Sequence, residues 1–142
     1  MNIIKYNSQK FPKNYIKALN RLSFKSGIMK QDIIPNINKS KYNFDIYCYF
    51  NENGDMIAWA YKGLSSWGSN VGVYVNYKYR RKGIGRALIS EIKKDDKNII
   101  TAPHNPKSLA FFRNAAPEYE TWKGALPSEL KYSKAWGEVV CK

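Results

Sequence analysis

Two glycines one residue apart, Gly83 and Gly85, follow a basic turn and open a helical pattern. Glycine lets a backbone approach a ligand closely because it carries no Cβ atom. The first amides of a helix have no intrahelical acceptor and lie at the positive end of its dipole, so they bind anions. Four cationic side chains surround this turn: Arg80, Arg81, Lys82 and Arg86. The pattern predicts a cradle for a phosphate-bearing ligand.

Two common phosphate-binding motifs do not fit this turn. A dinucleotide fingerprint needs a third glycine, but that position holds Leu88. A P-loop needs Gly-Lys-Ser or Gly-Lys-Thr, and neither occurs in the sequence. A glycine turn can also be only a turn, but the four cations would then repel one another with no anion to compensate. The spacing therefore favours a phosphate site of another class.

The elements around the cradle can be predicted from apolar periodicity. Val71–Val75 predicts a strand that leads into the turn, and an amphipathic helix leaves it, with Ile84, Leu88 and Ile92 on one side. That helix fades in the charged run Lys93–Lys97. Upstream, the Asn53-Gly54 dipeptide predicts a two-residue hairpin. It joins strands predicted at Phe44–Phe50 and Met56–Tyr61.

The remaining elements are shorter or less regular. We expect strands at Asn2–Tyr6, Asn98–Ala102, Tyr119–Trp122 and Ala135–Cys141, a helix at Phe11–Phe24, a further helix opened by Asn105-Pro106, a long connection with a short helix at Lys25–Asn43, and a loop at Gly63–Asn70. The order predicts a mixed α/β fold around a partly antiparallel sheet, in a single domain spanning residues 1–142.

Composition limits the partners and the compartment. The chain has 24 Lys and Arg against 11 Asp and Glu, a formal net charge of +13. This charge favours acidic partners such as nucleotide cofactors, nucleic acids or acidic protein surfaces, although scattered lysines also fit a solvated surface. Cys48 and Cys141 do not form a disulfide framework, and no apolar run is long enough for a membrane span. We expect a cytoplasmic protein with no metal site.

The spacing Arg80-x-x-Gly83-x-Gly85, between a strand and a helix, resembles the acyl-CoA signature Gln/Arg-x-x-Gly-x-Gly/Ala of the GNAT family of N-acetyltransferases. In members of the family a hairpin joins the second and third strands, and Asn53-Gly54 predicts a hairpin at the corresponding place. The resemblance covers residues 44–112 well, and the rest of the chain fits loosely.

The second part of the resemblance lies downstream of the glycines. The family pattern Asn-x-x-Ala/Ser-x-x-Phe-Tyr is matched by Asn105, Ser108 and Phe111. The resemblance implies a central, mixed and largely antiparallel sheet flanked by helices, with a V-shaped splay between the fourth and fifth strands. An acyl-CoA would lie in that splay, between Val71–Val75 and Asn98–Ala102.

The resemblance also implies a reaction and a set of contacts. The protein would transfer acetyl from acetyl-CoA, or acyl from another acyl-CoA, to a primary amine of a small molecule or a protein by direct attack. Backbone groups of two strand residues would hold the pantetheine arm and the thioester carbonyl. Amides of the turn would hold the pyrophosphate, and residues downstream of the helix would line the far side of the cofactor. The cofactor contacts are Tyr74, Val75, Arg80, Arg81, Lys82, Gly83, Ile84, Gly85, Arg86, Asn105, Ser108 and Phe111.

The sequence departs from the family in its proton-transfer residues. Phe112 stands where the family commonly has a tyrosine acid. The thiolate would leave unassisted or take a proton from water, because a thiol is already fairly acidic. Another tyrosine could also act, and Tyr74 and Tyr132 are the candidates.

The usual carboxylate base is also missing, since neither Val71–Val75 nor Met56–Tyr61 contains Asp or Glu. His104, the only histidine in the sequence, precedes Asn105 and could accept the amine proton through a water. It could instead only cap a loop or meet solvent. Trp67, in a Gly/Ser-rich segment, is a candidate for the acceptor site.

Two other functions stay open at this point. The charge and the missing acid and base are compatible with a nucleic-acid-modifying protein of the same fold, similar to phage proteins of the Mom type that alter adenine in DNA. A non-catalytic module that binds CoA or nucleic acid is the other alternative.

Overall fold

The structure, a computed structural model, describes residues 2–23, 29–65, 68–96, 99–101, 111, 120–121 and 139–140. The described strands form one sheet in the order β1-β2-β3-β4-β5-β7-β6. They are β1 (Ile3–Asn7), β2 (Phe44–Phe50), β3 (Met56–Ser65), β4 (Gly68–Val75), β5 (Ile99–Thr101), β6 (Glu120–Thr121) and β7 (Val139–Val140). The helices are α1 (Ile16–Arg21) and α2 (Ile84–Asp95), with shorter helical turns at Ser8–Lys10, Lys13–Tyr15, Met29–Ile33, Ile34–Asn36 and Tyr77–Tyr79.

The first four strands are antiparallel neighbours, and β5 pairs with β4 in parallel. This confirms the predicted mixed α/β fold with a largely antiparallel sheet. A hairpin at Asn53-Gly54 is confirmed, with Gly54 at a φ of 82° and its N–H donating to the Asn51 carbonyl, but its connection is longer than the predicted two residues because β2 ends at Phe50 and β3 begins at Met56. The pairs between β4 and β5 are Ser69 with Ile99 and Asn70 with Ile100. The splay predicted between Val71–Val75 and Asn98–Ala102 stays a prediction, because Asn98 and Ala102 lie outside the described residues.

The prediction of a loop at Gly63–Asn70 is wrong. The strand β3 continues to Ser65 and β4 begins at Gly68, so the pairing of these strands runs from Ala58–Val75 as far as Ser65–Gly68. Glycine and serine disfavour strands on their own, but pairing with a neighbouring strand overrides that local preference. Trp67 lies outside the described residues.

The predicted first helix is shorter than expected. Instead of covering Phe11–Phe24, it consists of a turn at Lys13–Tyr15 and then α1. The helix ends because Leu22 leaves helical geometry, with φ −93° and ψ 44°. The expected helical spacing is nevertheless reflected in the core, where Leu19 and Leu22 are buried. The short helix expected within Lys25–Asn43 is confirmed by the turns at Met29–Ile33 and Ile34–Asn36.

Two apolar layers cover the two faces of the sheet. On one, the α2 face, helix α2 packs its buried side chains against Val71, with Val73 and Val75 at the margin. On the other, the α1 face, α1 and the turn at Met29–Ile33 pack with Trp59 and Tyr61. Trp59 is fully buried, and its Nε1 donates to the Leu22 carbonyl at 2.8 Å. Side chains of β4 therefore alternate between the face that carries α2 and the face that carries α1.

The carboxyl end of α2 is bound to the sheet by a polar cluster. The Tyr47 hydroxyl donates to Asp95 Oδ2 at 2.7 Å, and Lys5 Nζ lies 3.0 Å from the same oxygen. The Tyr47 hydrogen bond, followed by Lys5, holds the pKa of Asp95 below its usual value of 3.8. Burial, with a further contribution from Asp95, raises the pKa of Tyr47. The cluster fixes the orientation of α2 on the sheet.

No helix in the described part of the chain has both the length and the apolar character needed to cross a membrane.

Replacing Tyr47 tests this cluster. We expect Tyr47→Phe to lower the free energy of unfolding by about 1 kcal/mol at neutral pH, because Asp95 is 37% exposed and water competes for its carboxylate. The lowered pKa of Asp95 gives stability that is present above pH 3.8 and lost as the pH falls below it. The loss caused by Tyr47→Phe should therefore shrink at about pH 3. Urea denaturation at both pH values measures this.

Tyr49→Phe is the matched control, because Tyr49 lies on the same strand and face. The cluster would not stabilise the fold as described if Tyr47→Phe lowered the free energy of unfolding by the same amount as Tyr49→Phe. A loss for Tyr47→Phe that did not change with pH would contradict it as well.

Candidate active site

The strand, turn and helix predicted around the two glycines are confirmed. The chain leaves β4 at Val75 and makes a short helical turn at Tyr77–Tyr79. Asn76 caps that turn, with its side-chain oxygen accepting from the Lys78 N–H at 3.1 Å. After the basic residues the chain enters α2, with Gly83 at the N-cap position. The end of a central strand is thus joined to the start of α2 by a short, basic connection.

Two residues of this connection have a left-handed backbone. Arg81 has a φ of 65° and Gly83 a φ of 80°, whereas Lys82 between them has a negative φ. Left-handed residues in a turn are typical of the anion-binding nests that successive N–H groups form. A Cβ atom on Gly83 would meet nothing within 4 Å, so the space beside it is open. Glycine suits this left-handed backbone at residue 83, whereas the close approach of a ligand that the sequence predicts stays a prediction.

The first turn of α2 adds further donors. No side chain caps the helix, and the Ala87 N–H makes its first bond, to the Gly83 carbonyl at 2.9 Å. The amides of Ile84, Gly85 and Arg86 therefore have no acceptor within the helix. Four cationic side chains around the turn are exposed: Arg80, Arg81, Lys82 and Arg86. A left-handed turn, a helix start without a side-chain cap and exposed cations are the features typical of an anion site.

Arg80 binds back to the strand that precedes it. Its Nε donates to the Val75 carbonyl at 2.9 Å, and its guanidinium carbon lies 5.4 Å from the centre of the Tyr74 ring. These contacts hold the basic turn against the end of β4. The sequence predicted that Arg80 contacts a ligand, but it gave no sign that Arg80 also holds the turn against β4.

Gly85 has a packing role that the sequence did not reveal. A Cβ atom on Gly85 would lie 2.7 Å from Cε1 and 2.8 Å from Cζ of the Phe111 ring. The second glycine of the pair therefore admits an aromatic ring to the start of α2. Phe111 was predicted beside the cofactor, and the structure brings it to the same turn. Val75 lies on the other side of this contact, with its Cγ2 3.6 Å from the same Cβ position.

The backbone groups of β4 divide between its two edges. The Asn76 N–H donates to the Ile57 carbonyl at 2.9 Å, and hydrogen-bonded pairs alternate along antiparallel strands. Tyr74 therefore pairs its own N–H and C=O with Trp59 on β3, and the backbone groups of Val75 point to the opposite edge. That edge pairs with β5 through Ser69 and Asn70. Of the two residues expected to offer backbone groups to a ligand, only Val75 has them on that edge.

Several predicted site residues lie outside the described part of the chain. They are Trp67, His104, Asn105, Ser108, Phe112 and Tyr132. The structure thus brings together the predicted residues of β4, the basic turn and the first turn of α2. Phe111, from a later part of the chain, contacts the same place.

Comparisons with known proteins identify the family to which the chain belongs. A sequence model of the Acetyltransferase (GNAT) family matches residues 15–116. No curated protein sequence matches the chain. The fold is similar to that of a GNAT phosphinothricin acetyltransferase from Sinorhizobium meliloti in complex with AcCoA, with a TM-score of 0.62 and 17% identity over 85% of this chain and 76% of that chain.

Two further structures show the same fold over nearly the whole chain. A GNAT acetyltransferase from Staphylococcus aureus has a TM-score of 0.64 and 14% identity, covering 98% of both chains. A chimera of Vibrio cholerae spermidine N-acetyltransferase and hSSAT has a TM-score of 0.61 and 11% identity, covering 99% of this chain and 93% of that chain.

The contact between Gly85 and Phe111 can be tested by a pair of substitutions. Alanine normally stabilises a helix relative to glycine, by about 1 kcal/mol. Here we expect Gly85→Ala to destabilise the fold by about 1–3 kcal/mol, because the added methyl overlaps the ring of Phe111. Phe111→Leu shortens the opposing side chain, so Gly85→Ala should cost much less in that background. Urea denaturation of the two single variants and the double variant gives the coupling.

Gly63→Ala is the control, since its Cβ would make an ordinary contact at 3.8 Å. Strictly additive effects of Gly85→Ala and Phe111→Leu would show that this ring does not restrict Gly85.

Proposed function

The chain belongs to the acetyltransferase (GNAT) family, and on that premise we propose that it transfers an acetyl group from acetyl-CoA to a primary amine. This family was the one inferred from the sequence, so that resemblance is confirmed. The observation that carries the proposal is the left-handed Gly83 at the uncapped start of α2, directly after β4. It supports a site for the diphosphate that acyl-CoA cofactors share.

The residues of the turn fit coenzyme A. The position beside Gly83 is open, the amides of Ile84, Gly85 and Arg86 have no acceptor within the helix, and Arg81, Lys82 and Arg86 are exposed. A diphosphate needs this combination of main-chain donors and positive charge. When bound, acetyl-CoA supplies the acetyl group as a thioester. The family match and the fold shared with an AcCoA complex support this choice of cofactor.

The chain must orient the amine and stabilise the negative charge that develops on the thioester oxygen. We assign the second task to the backbone N–H of Val75, because it lies on the edge of β4 away from β3. Arg80 helps by fixing the Val75 carbonyl. Preorganised backbone donors are effective in this role because they need no rearrangement during the reaction.

Two proton transfers complete the reaction. His104 is our candidate for the base that takes the amine proton, because an imidazole titrates near neutral pH. Phe112 removes the family's usual acid, so the thiolate leaves without it or takes a proton from Tyr74 or from water. Tyr74 is the candidate nearest to Val75 in the described structure.

A diphosphate accounts for the exposed cations of the turn, so we propose no function on nucleic acids.

The cradle can be tested with two variants of nearly equal shape. Asparagine and aspartate both tolerate the left-handed conformation of Gly83, but only aspartate adds a negative charge to the nest. We expect Gly83→Asn to bind acetyl-CoA within about fivefold of the wild type. Gly83→Asp should bind at least about thirtyfold more weakly, a difference of about 2 kcal/mol, because like charges repel. Isothermal titration calorimetry measures both.

Salt and a distant charge provide the controls. Raising the salt concentration should reduce the difference in acetyl-CoA affinity between Gly83→Asn and Gly83→Asp, because salt screens the added charge. Lys39→Gln and Lys41→Gln alter exposed cations outside the turn and should leave binding unchanged. Absence of acetyl-CoA binding at millimolar concentration, or equal binding by the two Gly83 variants, would refute the cofactor assignment. Release of CoA thiol on adding an amine to the wild type tests the transfer itself.

A further inference from the structure

The first 43 residues carry more than half of the net positive charge of the chain. They contain nine Lys and Arg and one acidic residue, Asp32, so their formal net charge is +8, against +13 for the whole chain. The described part of residues 8–43, here called the α1 layer, packs its apolar side chains on the α1 face of the sheet. The proposed diphosphate site belongs to the turn before α2, so it does not account for this second concentration of charge.

Hydrogen bonds join two distant segments of the α1 layer, residues 7–11 and 38–43. Asn38 has a left-handed φ of 63°. Its side chain accepts from the Phe11 N–H at 2.9 Å and donates to the Phe11 carbonyl at 3.0 Å. The backbone carbonyl of Ser8, a fully buried residue, accepts from the Asn38 N–H at 2.6 Å. These bonds hold the two segments side by side.

This junction collects lysines on the surface of the α1 layer. Lys10 directly precedes Phe11, and the other segment contributes Lys39 and Lys41. Lys13 is three residues from Lys10, which is at most about 11 Å of chain. Lys17 follows about one helical turn later on the same side of the helix. All five side chains are exposed, and we call them the basic patch: Lys10, Lys13, Lys17, Lys39 and Lys41.

The basic patch concentrates like charges that its own segment does not neutralise. Residues 1–31 and 33–43 contain no Asp or Glu. Asp32 lies in the turn at Met29–Ile33, where its carboxylate accepts from the Asn36 side chain. Like charges held close together repel one another and lower the stability of the fold. A surface that keeps them together is complementary to a negatively charged partner, which relieves the repulsion when it binds.

The proposed reaction favours one class of anionic macromolecule. Proteins carry primary alkylamines at lysine side chains and at the N-terminus. The amino groups of nucleic-acid bases are poor nucleophiles, because their lone pair is delocalised into the ring. The apolar cluster beneath the α1 layer also includes Tyr74, which precedes Val75 on β4. The basic patch thus lies on the layer that borders the proposed reaction site, where an acceptor protein is the fitting partner.

We propose that the basic patch docks an Asp- and Glu-rich segment of an acceptor protein. Docking holds the acceptor chain on the enzyme and raises the local concentration of its amine at the reaction site. The choice of a protein rests on the proposed acetyltransferase function, whereas the docking of an acidic segment rests on the patch itself.

Steady-state kinetics with saturating acetyl-CoA tests the proposal. Two peptides blocked at both ends each carry one lysine, a flexible Gly/Ser spacer and a run of identical residues. The run consists of glutamates in the acidic peptide and of glutamines in the neutral peptide. At low salt we expect the acidic peptide to have a kcat/KM about tenfold above that of the neutral peptide. High salt should remove the difference, because it screens charges on the surface.

Two variants remove charge from the patch. One combines Lys39→Gln with Lys41→Gln, and the other combines Lys10→Gln with Lys13→Gln. Each should reduce the preference for the acidic peptide by about threefold, because two surface charges are lost. The KM for acetyl-CoA and the kcat/KM for propylamine, a small amine without an acidic segment, should not change.

The matched control removes the same charge from another part of the molecule. Lys93→Gln combined with Lys94→Gln alters the last turn of α2 and should retain the preference for the acidic peptide. Melting temperatures of the two patch variants should equal or exceed that of the wild type, because repulsion between lysines is reduced.

The other outcomes separate this proposal from the proposed function. Equal kcat/KM for the two peptides, or a preference that both patch variants retain, overturns the docking and leaves the cofactor assignment standing. The partner class is wrong if a labelled duplex DNA binds through the patch and the labelled acidic peptide does not, as measured by fluorescence anisotropy with CoA present. If the protein acetylates no amine, the proposed function fails, and anisotropy with the acidic peptide still decides whether the patch docks it.

Discussion

The left-handed backbone of the turn between β4 and α2 is the constraint on which the candidate site depends. The chain must reverse from a central strand into a helix within a few residues, and it does so with positive φ at Arg81 and Gly83. Left-handed residues of this kind are typical of anion-binding nests, and the position beside Gly83 at the start of α2 is open. A nonglycine residue such as Arg81 adopts that conformation at some cost. The exposed basic side chains add positive charge to the same turn.

The two ends of α2 fix the direction in which those amides point. At its start, the ring of Phe111 occupies the space left by Gly85. At its end, Asp95 accepts a hydrogen bond from Tyr47 and pairs with Lys5. Between them, the buried side chains of the helix pack on the sheet. The start of α2 is thus supported by packing at both of its ends and along its buried face.

Sequence patterns predicted the parts of this structure that depend on local chemistry. The hairpin follows from Asn53-Gly54, and the strand, turn and helix of the cradle follow from apolar periodicity and Gly83. Contacts between distant segments were not predictable in this way. The strand pairing that extends through Gly63, the ring of Phe111 on Gly85 and the hydrogen bonds between Asn38 and Phe11 all depend on tertiary placement, which periodicity does not report.

The central claim is that main-chain amides at the start of α2 bind the diphosphate of acetyl-CoA, and amide NMR tests it most directly. In a ¹⁵N-labelled protein titrated with acetyl-CoA, we predict the largest chemical-shift changes at the amides of Gly83, Ile84 and Gly85, with downfield movement of their protons as hydrogen bonds form. Unchanged resonances for these amides, with perturbation confined to other segments, would contradict the account.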